Sequence, residues 1–155
     1  MKQRLIATCA ALLLGTATAH AQGIAITAAG MTPTVFGDSR NFFGQAAVDI
    51  KAAGNSGRYG SVGQVDFMPG ARTAWHTHPA GQLLIITEGR GWVQEDGQPV
   101  REIKVGDVVW IDPGIKHWHG AARDSRMSHI AVAYMQGGKG VDWMELVSDD
   151  QYNGR

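Results

Sequence analysis

Short apolar runs, alternating or continuous and separated by turn residues, make up most of the chain after residue 40. The alternation in residues 41–50 predicts a first strand, because successive side chains on a strand point to opposite faces. Further strands are predicted at Gly60–Phe67, 82–87, 91–94, 100–104, 107–111, His117–Ala121 and Met127–Tyr134. We find no long stretch with a helical period, and we expect Asp149–Tyr152 to form one short helical turn.

Turn sequences separate these runs and indicate the fold class. Asp96 followed by Gly97, between two apolar runs, is typical of a β-hairpin. Other turns are predicted at residues 69–70, 88–91 and 113–114. Short, regularly spaced strands, together with 21 glycines in 155 residues, predict an all-β sandwich or barrel.

The first 21 residues have the features of a secretion signal peptide. Lys2 and Arg4 precede the apolar stretch 5–18, and residues 19–21 read Ala-His-Ala, a small-x-small cleavage pattern. The apolar stretch is too short for a comfortable membrane span. We therefore expect cleavage after Ala21, a periplasmic or secreted location, and no membrane association after cleavage.

The remaining chain is expected to be an extended N-terminal arm, residues 22–40, followed by a single domain, residues 41–155. The single cysteine, Cys9, lies in the predicted signal peptide, so the mature protein would have no disulfide. Without Lys2 and Arg4, 12 basic residues stand against 14 acidic ones, a formal charge near −2. No basic stripe is present, which argues against a nucleic-acid partner.

Two pairs of histidines carry the chemistry. His76 and His78 form one pair, and His117 and His119 form the other. On a strand, positions i and i+2 share one face. Neutral imidazole is the commonest metal ligand in proteins, so two such pairs facing each other could hold one divalent ion. Beyond the predicted signal peptide, the remaining histidine is His129.

The sequence around both pairs resembles the two motifs of the cupin superfamily. The first motif is glycine, five residues, HxH, three or four residues, glutamate, six residues, glycine; the second is glycine, five residues, PxG, two residues, histidine. The matching residues are Gly70, His76, His78, Gln82 and Gly89 for the first, and Gly106, Pro113, Gly114 and His117 for the second. The resemblance implies a cupin jelly-roll β-barrel with His76, His78, Gln82 and His117 as metal ligands.

Two residues depart from the motifs. Asp112 replaces the first proline of the second motif, which matters little because Pro113 and Gly114 still form the turn. Gln82 replaces glutamate, so the ligand set is neutral and the ion keeps its full charge. Such an ion would be a stronger Lewis acid but less tightly held. Family resemblance favours Mn²⁺, and Fe²⁺ or Zn²⁺ would also suit this donor set.

A narrower resemblance covers residues 65–152, which look like the small bacterial cupins that include manganese-dependent (R)-selective hydroxynitrile lyases. Shared segments include 106–110, 116–121 and 127–131. In that family two active-site histidines fall on His119 and His129. Ala133 departs from the glutamine usual there, and Gly63 replaces a small alkyl residue.

The resemblance implies a lyase that cleaves cyanohydrins such as (R)-mandelonitrile to aldehyde and cyanide. The metal would act as a Lewis acid, and His119 or His129 would move the proton. The partner would be a small-molecule substrate, and the protein would be a homo-oligomer, either a dimer or a tetramer.

Two other functions fit the same motifs. One is a cupin dioxygenase of the quercetinase or diketone type, which needs a redox-active metal and an open position for oxygen. The other is a non-enzymatic periplasmic module that binds metal or a small ligand. His129 could also be an ordinary buried histidine bonded to a backbone carbonyl, and Gln82 a hydrogen-bonding neighbour of the metal site.

Arg72 and the tryptophans carry weaker signals. Arg72 is expected to pair with an acidic residue, with anion capture as the alternative. Trp118 should point away from the cavity if His117 and His119 point in. The segment around Trp143 is expected to cover a sheet edge or to reach a neighbouring subunit.

Overall fold

The computed structural model describes residues 23–55 and 60–154. The predicted signal peptide, residues 1–21, lies outside these residues. The strands are β1 (Thr34–Phe36), β2 (Phe42–Phe43), β3 (Ala46–Ala52), β4 (Gly60–Phe67), β5 (Arg72–Thr73), β6 (His76–Thr77), β7 (Gln82–Glu95), β8 (Arg101–Lys104), β9 (Val108–Ile111), β10 (His117–Ala121), β11 (Met127–Tyr134) and β12 (Asp142–Trp143), and the helix is α1 (Asp149–Tyr152). The prediction of an all-β barrel is confirmed.

The strands form two antiparallel sheets that share the long strand β7. Sheet A contains β1, β3, β4, β11, the first half of β7, and β9. Sheet B contains the second half of β7 with β8, β10, β5, β2, β6 and β12. A jelly-roll barrel results, with the core between the two sheets.

Side chains that face inward fill the barrel between the two sheets, next to the histidines. Phe67, Leu84, Ile86, Ile103 and Met127 are buried there and contact one another within one hydrophobic cluster. Their burial stabilises the fold in proportion to the apolar area removed from water.

A second cluster lies outside sheet B, under the C-terminal segment. Trp75 and Trp118 pack there against Val147 and Tyr152. Trp118 therefore points away from the cavity, as its alternation with His117 predicts.

The predicted turn at 88–91 is wrong, because β7 continues through these residues and bends from sheet A into sheet B. The bend depends on two close backbone approaches. A Cβ atom on Gly89 would lie 1.9 Å from the Arg126 carbonyl oxygen, and one on Gly91 would lie 2.1 Å from that of Gly120. Glycine at these positions permits close packing, and the same residues resemble a turn in the sequence.

The single strand predicted at 41–50 is also wrong, since the structure has two strands here that belong to different sheets. Gly44 lies between β2 and β3 with a φ of 76°, a conformation that favours glycine. The chain crosses from sheet B to sheet A at this point.

Other local predictions are confirmed. Gly97 has a φ of 77° and lies in the hairpin that joins β7 to β8. Helix α1 begins after Ser148, whose hydroxyl accepts a hydrogen bond from the Gln151 backbone while the Gln151 side chain accepts one from the Ser148 backbone. Within the predicted arm, residues 23–33 form no helix or strand, whereas β1 pairs with β3. Among the described residues, no helix is long and apolar enough to cross a membrane.

The C-terminal segment covers an edge of sheet B. Strand β12 pairs with β6, and the buried Arg72 donates hydrogen bonds to the Val147 carbonyl oxygen at 2.9 and 3.2 Å and to Asp149 at 2.8 Å. The guanidinium also lies 3.9 Å from the centre of the Phe43 ring and 4.5 Å from that of Tyr152. Arg72 thus anchors the chain that follows β12.

Candidate metal centre

Strands β6 and β10 bring the first three predicted ligands together. His76 on β6 is the register partner of His117 on β10, and their ring centroids lie 4.2 Å apart. His78 follows directly after β6, with its ring centroid 5.1 Å from that of His76 and 5.7 Å from that of His117. The sequence pairs therefore face each other across two adjacent strands.

The fourth predicted ligand, Gln82, opens β7 and is buried. Its backbone is held between Ala133 of β11 and Ile111 of β9. The Oε1 atom of Gln82 lies 3.2 Å from Nε2 of His117. All four predicted ligands are thus gathered at one end of the barrel.

The three predicted histidine ligands share one feature: each Nδ1 atom lies against a backbone carbonyl oxygen. The pairs are His76 with Ala74 at 3.0 Å, His78 with Gly140 at 2.5 Å, and His117 with Ile115 at 2.9 Å. A carbonyl oxygen only accepts, so each Nδ1 must carry the proton and donate it. Each Nε2 atom therefore carries a lone pair. A hydrogen bond from Nδ1 to a carbonyl is what orients the rings of metal-binding histidines.

These lone pairs fit a bound cation. The Nε2 atom of His117 faces Gln82 Oε1, a second acceptor, and two lone-pair atoms this close repel unless a cation lies near both. Among the described residues, His78 Nε2 is buried without a hydrogen-bond partner. Buried polar atoms are normally satisfied, so an orphaned acceptor in the wall of the same cavity as Gln82 fits a metal ion as its partner.

Burial keeps the imidazoles neutral. It holds the pKa of His76 well below its usual value, and the neighbouring His117 and His78 lower it further. Burial also lowers the pKa of His78 and lowers that of His117 to about 4. Neutral imidazole is the form that binds a metal, so the site is ready for one near pH 7 without losing protons.

His119 also lies close to this group. Ligand atoms of His76, His117 and His119 lie within 4.8 Å of one another and could hold a divalent metal, whereas the predicted ligand His78 is not part of this close cluster. His119 differs from the carbonyl-anchored ligands, because its Nδ1 atom lies 3.2 Å from Nε2 of His129. Its anchor is therefore a second ring that can exchange protons.

The two remaining histidines form a buried pair in the wall of the cavity. The ring centroids of His119 and His129 are 4.8 Å apart, and Phe67 packs against both. Burial holds the pKa of His119 well below its usual value and lowers that of His129 to about 4. In the described residues, His119 Nε2 and His129 Nδ1 are buried and have no hydrogen-bond partner.

A cavity of about 180 Å³ opens onto these histidines. This is smaller than the roughly 300–1,000 Å³ of pockets for drug-sized ligands, so it suits a small molecule. Small residues on the inner face of sheet A leave this space. Its walls include Phe42, Val48, Ile50, Ser61, Gly63, Val65, Ala131, Ala133, Val141 and Trp143.

Two parts of the site were missed by sequence reasoning. Trp143 lines the cavity, and its ring centroid lies 4.8 Å from that of His76. Gly140 supplies the carbonyl that anchors His78. A two-residue strand has no readable period, and a backbone carbonyl leaves no trace in the sequence. Trp143 is visible as a large aromatic residue, but the sequence does not indicate that it lies beside His76.

Comparisons with known proteins agree with this geometry. A family model described as Cupin domain matches residues 63–133. The chain is 61% identical over 88 residues to (R)-mandelonitrile lyase from Granulicella tundricola, a match that covers 57% of this chain and 67% of that protein. It is 30% identical over 92 residues to an auxin-binding protein from Prunus persica, covering 54% of this chain and 44% of that protein.

A solved structure is also similar. A cupin-like protein from Thermotoga maritima is 41% identical, with a TM-score of 0.73, and the match covers 76% of this chain and 90% of that one. Together with the three-histidine cluster, these relatives support a metal-binding cupin enzyme. The barrel, the two framed histidine pairs and the matched sequences show that this chain belongs to the cupin domain family.

Proposed function

We propose that the protein is a metal-dependent lyase that cleaves cyanohydrins such as (R)-mandelonitrile to an aldehyde and cyanide. One observation carries the proposal: the histidines around one small cavity are of two kinds. Three of them have Nδ1 bonded to a backbone carbonyl, whereas His119 and His129 are bonded to each other. The 61%-identical relative named (R)-mandelonitrile lyase supports this substrate class.

The residues that would hold the metal are His76, His78, Gln82 and His117. A divalent ion there, for which we propose Mn²⁺, would supply Lewis acidity to a substrate hydroxyl. Because all four side chains are neutral, none of them offsets the charge of the ion.

We propose that His119 takes the hydroxyl proton. The proposal requires the tautomer in which His119 Nδ1 donates its proton to Nε2 of His129, because the Nε2 atom of His119 then carries a lone pair towards the cavity. As the O–H proton moves to His119, the C–C bond breaks and its electron pair leaves with the cyanide carbon, while the C–O bond becomes the aldehyde carbonyl. The same proton then passes from His119 to cyanide, so the products are the aldehyde and hydrogen cyanide.

His129 and the apolar walls support this transfer. His129 shares the charge that His119 acquires, since a hydrogen bond joins the two rings. Phe67 excludes water from the pair by packing on both rings. The small residues Ala131 and Ala133 leave room for the apolar group of a cyanohydrin.

The test is a cleavage assay with matched histidine variants. We expect the Mn²⁺-loaded protein to release aldehyde from (R)-mandelonitrile, and His119→Ala to lower kcat by about 10²–10⁴-fold with its metal content unchanged. His117→Ala should lose both metal and activity, which separates the two roles.

Full metal loading without cleavage above background would contradict the proposal. The Fe²⁺ form serves as a further comparison. Oxygen uptake by that form with a flavonol or a diketone, together with no cyanohydrin cleavage, would indicate a dioxygenase instead.

A further inference from the structure

A second cavity, of about 470 Å³, lies between strands β8 and β9, which both pair with β7. In the described part of the chain it shares no lining residue with the smaller cavity that opens onto His119 and His129. Its volume falls within the roughly 300–1,000 Å³ of pockets that hold small ligands. The proposed cleavage reaction makes no use of this space.

The floor of the second cavity is apolar. Its buried and half-buried walls are aliphatic, namely Val93, Val109, Ile111 and Ile115. The buried His117 completes the floor, with Nδ1 donating to the Ile115 carbonyl and Nε2 facing Gln82. Because both nitrogen atoms of this imidazole are engaged elsewhere, the floor suits an apolar group.

The rim of the second cavity carries charges of both signs. Arg101 on β8 lies opposite Val93 on β7, and Glu95 follows two residues later on the same face of β7. Residues in this diagonal relation lie about 7–8 Å apart, so one small molecule can contact both. Asp112 lies on the rim from the side of β9.

The charges on Arg101 and Glu95 are not paired within the protein. Within residues 23–55 and 60–154, neither side chain forms an ion pair or a hydrogen bond. Asp112, in contrast, accepts a hydrogen bond at 2.6 Å from the indole N–H of Trp110. The rim therefore presents a free guanidinium and a free carboxylate above an apolar floor.

We propose that the second cavity binds a small zwitterion with an apolar side chain, namely a free aliphatic amino acid such as leucine. Its carboxylate pairs with Arg101, its ammonium group pairs with Glu95, and its side chain covers the aliphatic floor. Hydrogen bonds between charged groups are the strong ones in proteins. An amino acid carries its two charges on either side of one carbon atom, which fits two side chains in a diagonal relation.

Other small ligands match this lining less well. Arg101, Glu95 and Asp112 together carry one net negative charge, so a molecule with a carboxylate alone is repelled overall. A molecule with an amine alone pairs with a carboxylate but leaves the nearby guanidinium without a partner. A sugar would place hydroxyl groups against an aliphatic floor that cannot accept their hydrogen bonds.

Isothermal titration calorimetry tests the proposal with three probes of similar shape. Leucine has both charges, isocaproate lacks the ammonium group, and isoamylamine lacks the carboxylate. We expect the wild-type protein to bind leucine with a Kd of about 1 mM or below, and each singly charged probe at least about tenfold more weakly.

Variants of the rim locate the binding site. Arg101→Met and Glu95→Gln should each weaken leucine binding at least about tenfold. Arg126→Met and Glu102→Gln are the matched controls, because both residues form ion pairs outside the cavity. Glu102 is also the direct neighbour of Arg101 in β8. Both controls should bind leucine as the wild type does.

Thermal unfolding checks that each variant folds, and either rim variant is sufficient if the other does not fold. An amino acid can also chelate a divalent ion, so the titration is repeated on folded protein whose metal has been removed with EDTA. Leucine binding should persist there, which separates this site from the proposed metal centre. No step involves cyanohydrin cleavage, so the two proposals can fail independently.

Three results would overturn the proposal. One is a wild-type protein that does not bind leucine up to about 10 mM. Another is leucine binding that the rim variants and their controls affect equally, or that removal of the metal abolishes. The third is isocaproate or isoamylamine binding as tightly as leucine, because the rim would then not recognise both charges.

Discussion

At the scale of single residues, the partner of Nδ1 distinguishes the histidines of the site. His76, His78 and His117 donate to carbonyl oxygens, which cannot give the proton back. His119 lies against His129, which can accept or return one. Five imidazoles with the same unperturbed chemistry are thereby divided into proposed ligands and proposed proton carriers.

Gln82 is the residue whose charge state sets the strength of the proposed metal centre. Gln82→Glu adds one negative charge to a neutral donor set, so we expect the site to bind Mn²⁺ about tenfold more tightly or better. The partly neutralised ion should then be a weaker Lewis acid, and kcat for cyanohydrin cleavage should fall. Competition with a chelator measures the first effect, and steady-state kinetics the second.

Gln98→Glu is the control, since Gln98 is exposed in the hairpin between β7 and β8. It should change neither quantity. An unchanged metal affinity in Gln82→Glu would show that Gln82 is a hydrogen-bonding neighbour of the site rather than a ligand.

At the scale of elements, the site depends on short strands that are ordered by their neighbours. Strand β6 has two residues, yet it holds His76 because β10 and β12 pair with it on both sides. Strand β12 in turn is followed by the segment that Arg72 anchors. The position of His76 therefore depends on the pairing of β6 with β12, and the segment after β12 is held in turn by Arg72.

Removing the Arg72 guanidinium should loosen this C-terminal segment. We expect Arg72→Met to lower the free energy of unfolding by about 2–3 kcal/mol, because it leaves the buried Val147 carbonyl without its donors. The ion pair with Asp149 should add little, since that carboxylate is mostly exposed. Chemical denaturation measures the change, and limited proteolysis should cut the variant preferentially after β12.

Arg40→Met is the matched control. Arg40 is exposed and pairs with the nearby Asp38, so its loss should have no measurable effect on unfolding. Equal stability of Arg72→Met and the wild type would mean that the C-terminal segment is held by its apolar contacts alone.

Local signals explain what the sequence could predict. The spacing of His76 and His78, and of His117 and His119, involves residues close together in the sequence. The same is true of the hairpin at Gly97. The bend of β7 depends instead on distant carbonyls that approach Gly89 and Gly91. The pairing of β12 with β6 joins residues far apart in the chain through two-residue strands, which have no readable period.

At the scale of the whole molecule, buried neutral histidines make folding depend on pH. The folded-state pKa values of His117 and His129 are about 4, against an ordinary value of 6.5. Between these values the unfolded chain takes up protons that the folded protein does not, so the free energy of unfolding falls as the pH falls. It is largest above pH 6.5 and is lost progressively as the pH drops towards 4.

In the middle of this range, each of the two histidines should change the free energy of unfolding by at most about 1.4 kcal/mol per pH unit. Chemical denaturation in steps from pH 7 to pH 5 measures the slope, and His129→Asn should reduce it by about one proton. A free energy of unfolding that stays constant over these steps would show that the histidines titrate alike in both states.

The hydrogen bond from His78 to the Gly140 carbonyl has a consequence for biosynthesis. Residue 78 leaves the ribosome long before residue 140, so a nascent chain can display both histidine pairs while one of them still lacks the group that orients it. High-affinity metal capture should therefore wait until the final strand has been made. Prematurely terminated chains would then compete poorly with finished molecules for a scarce ion.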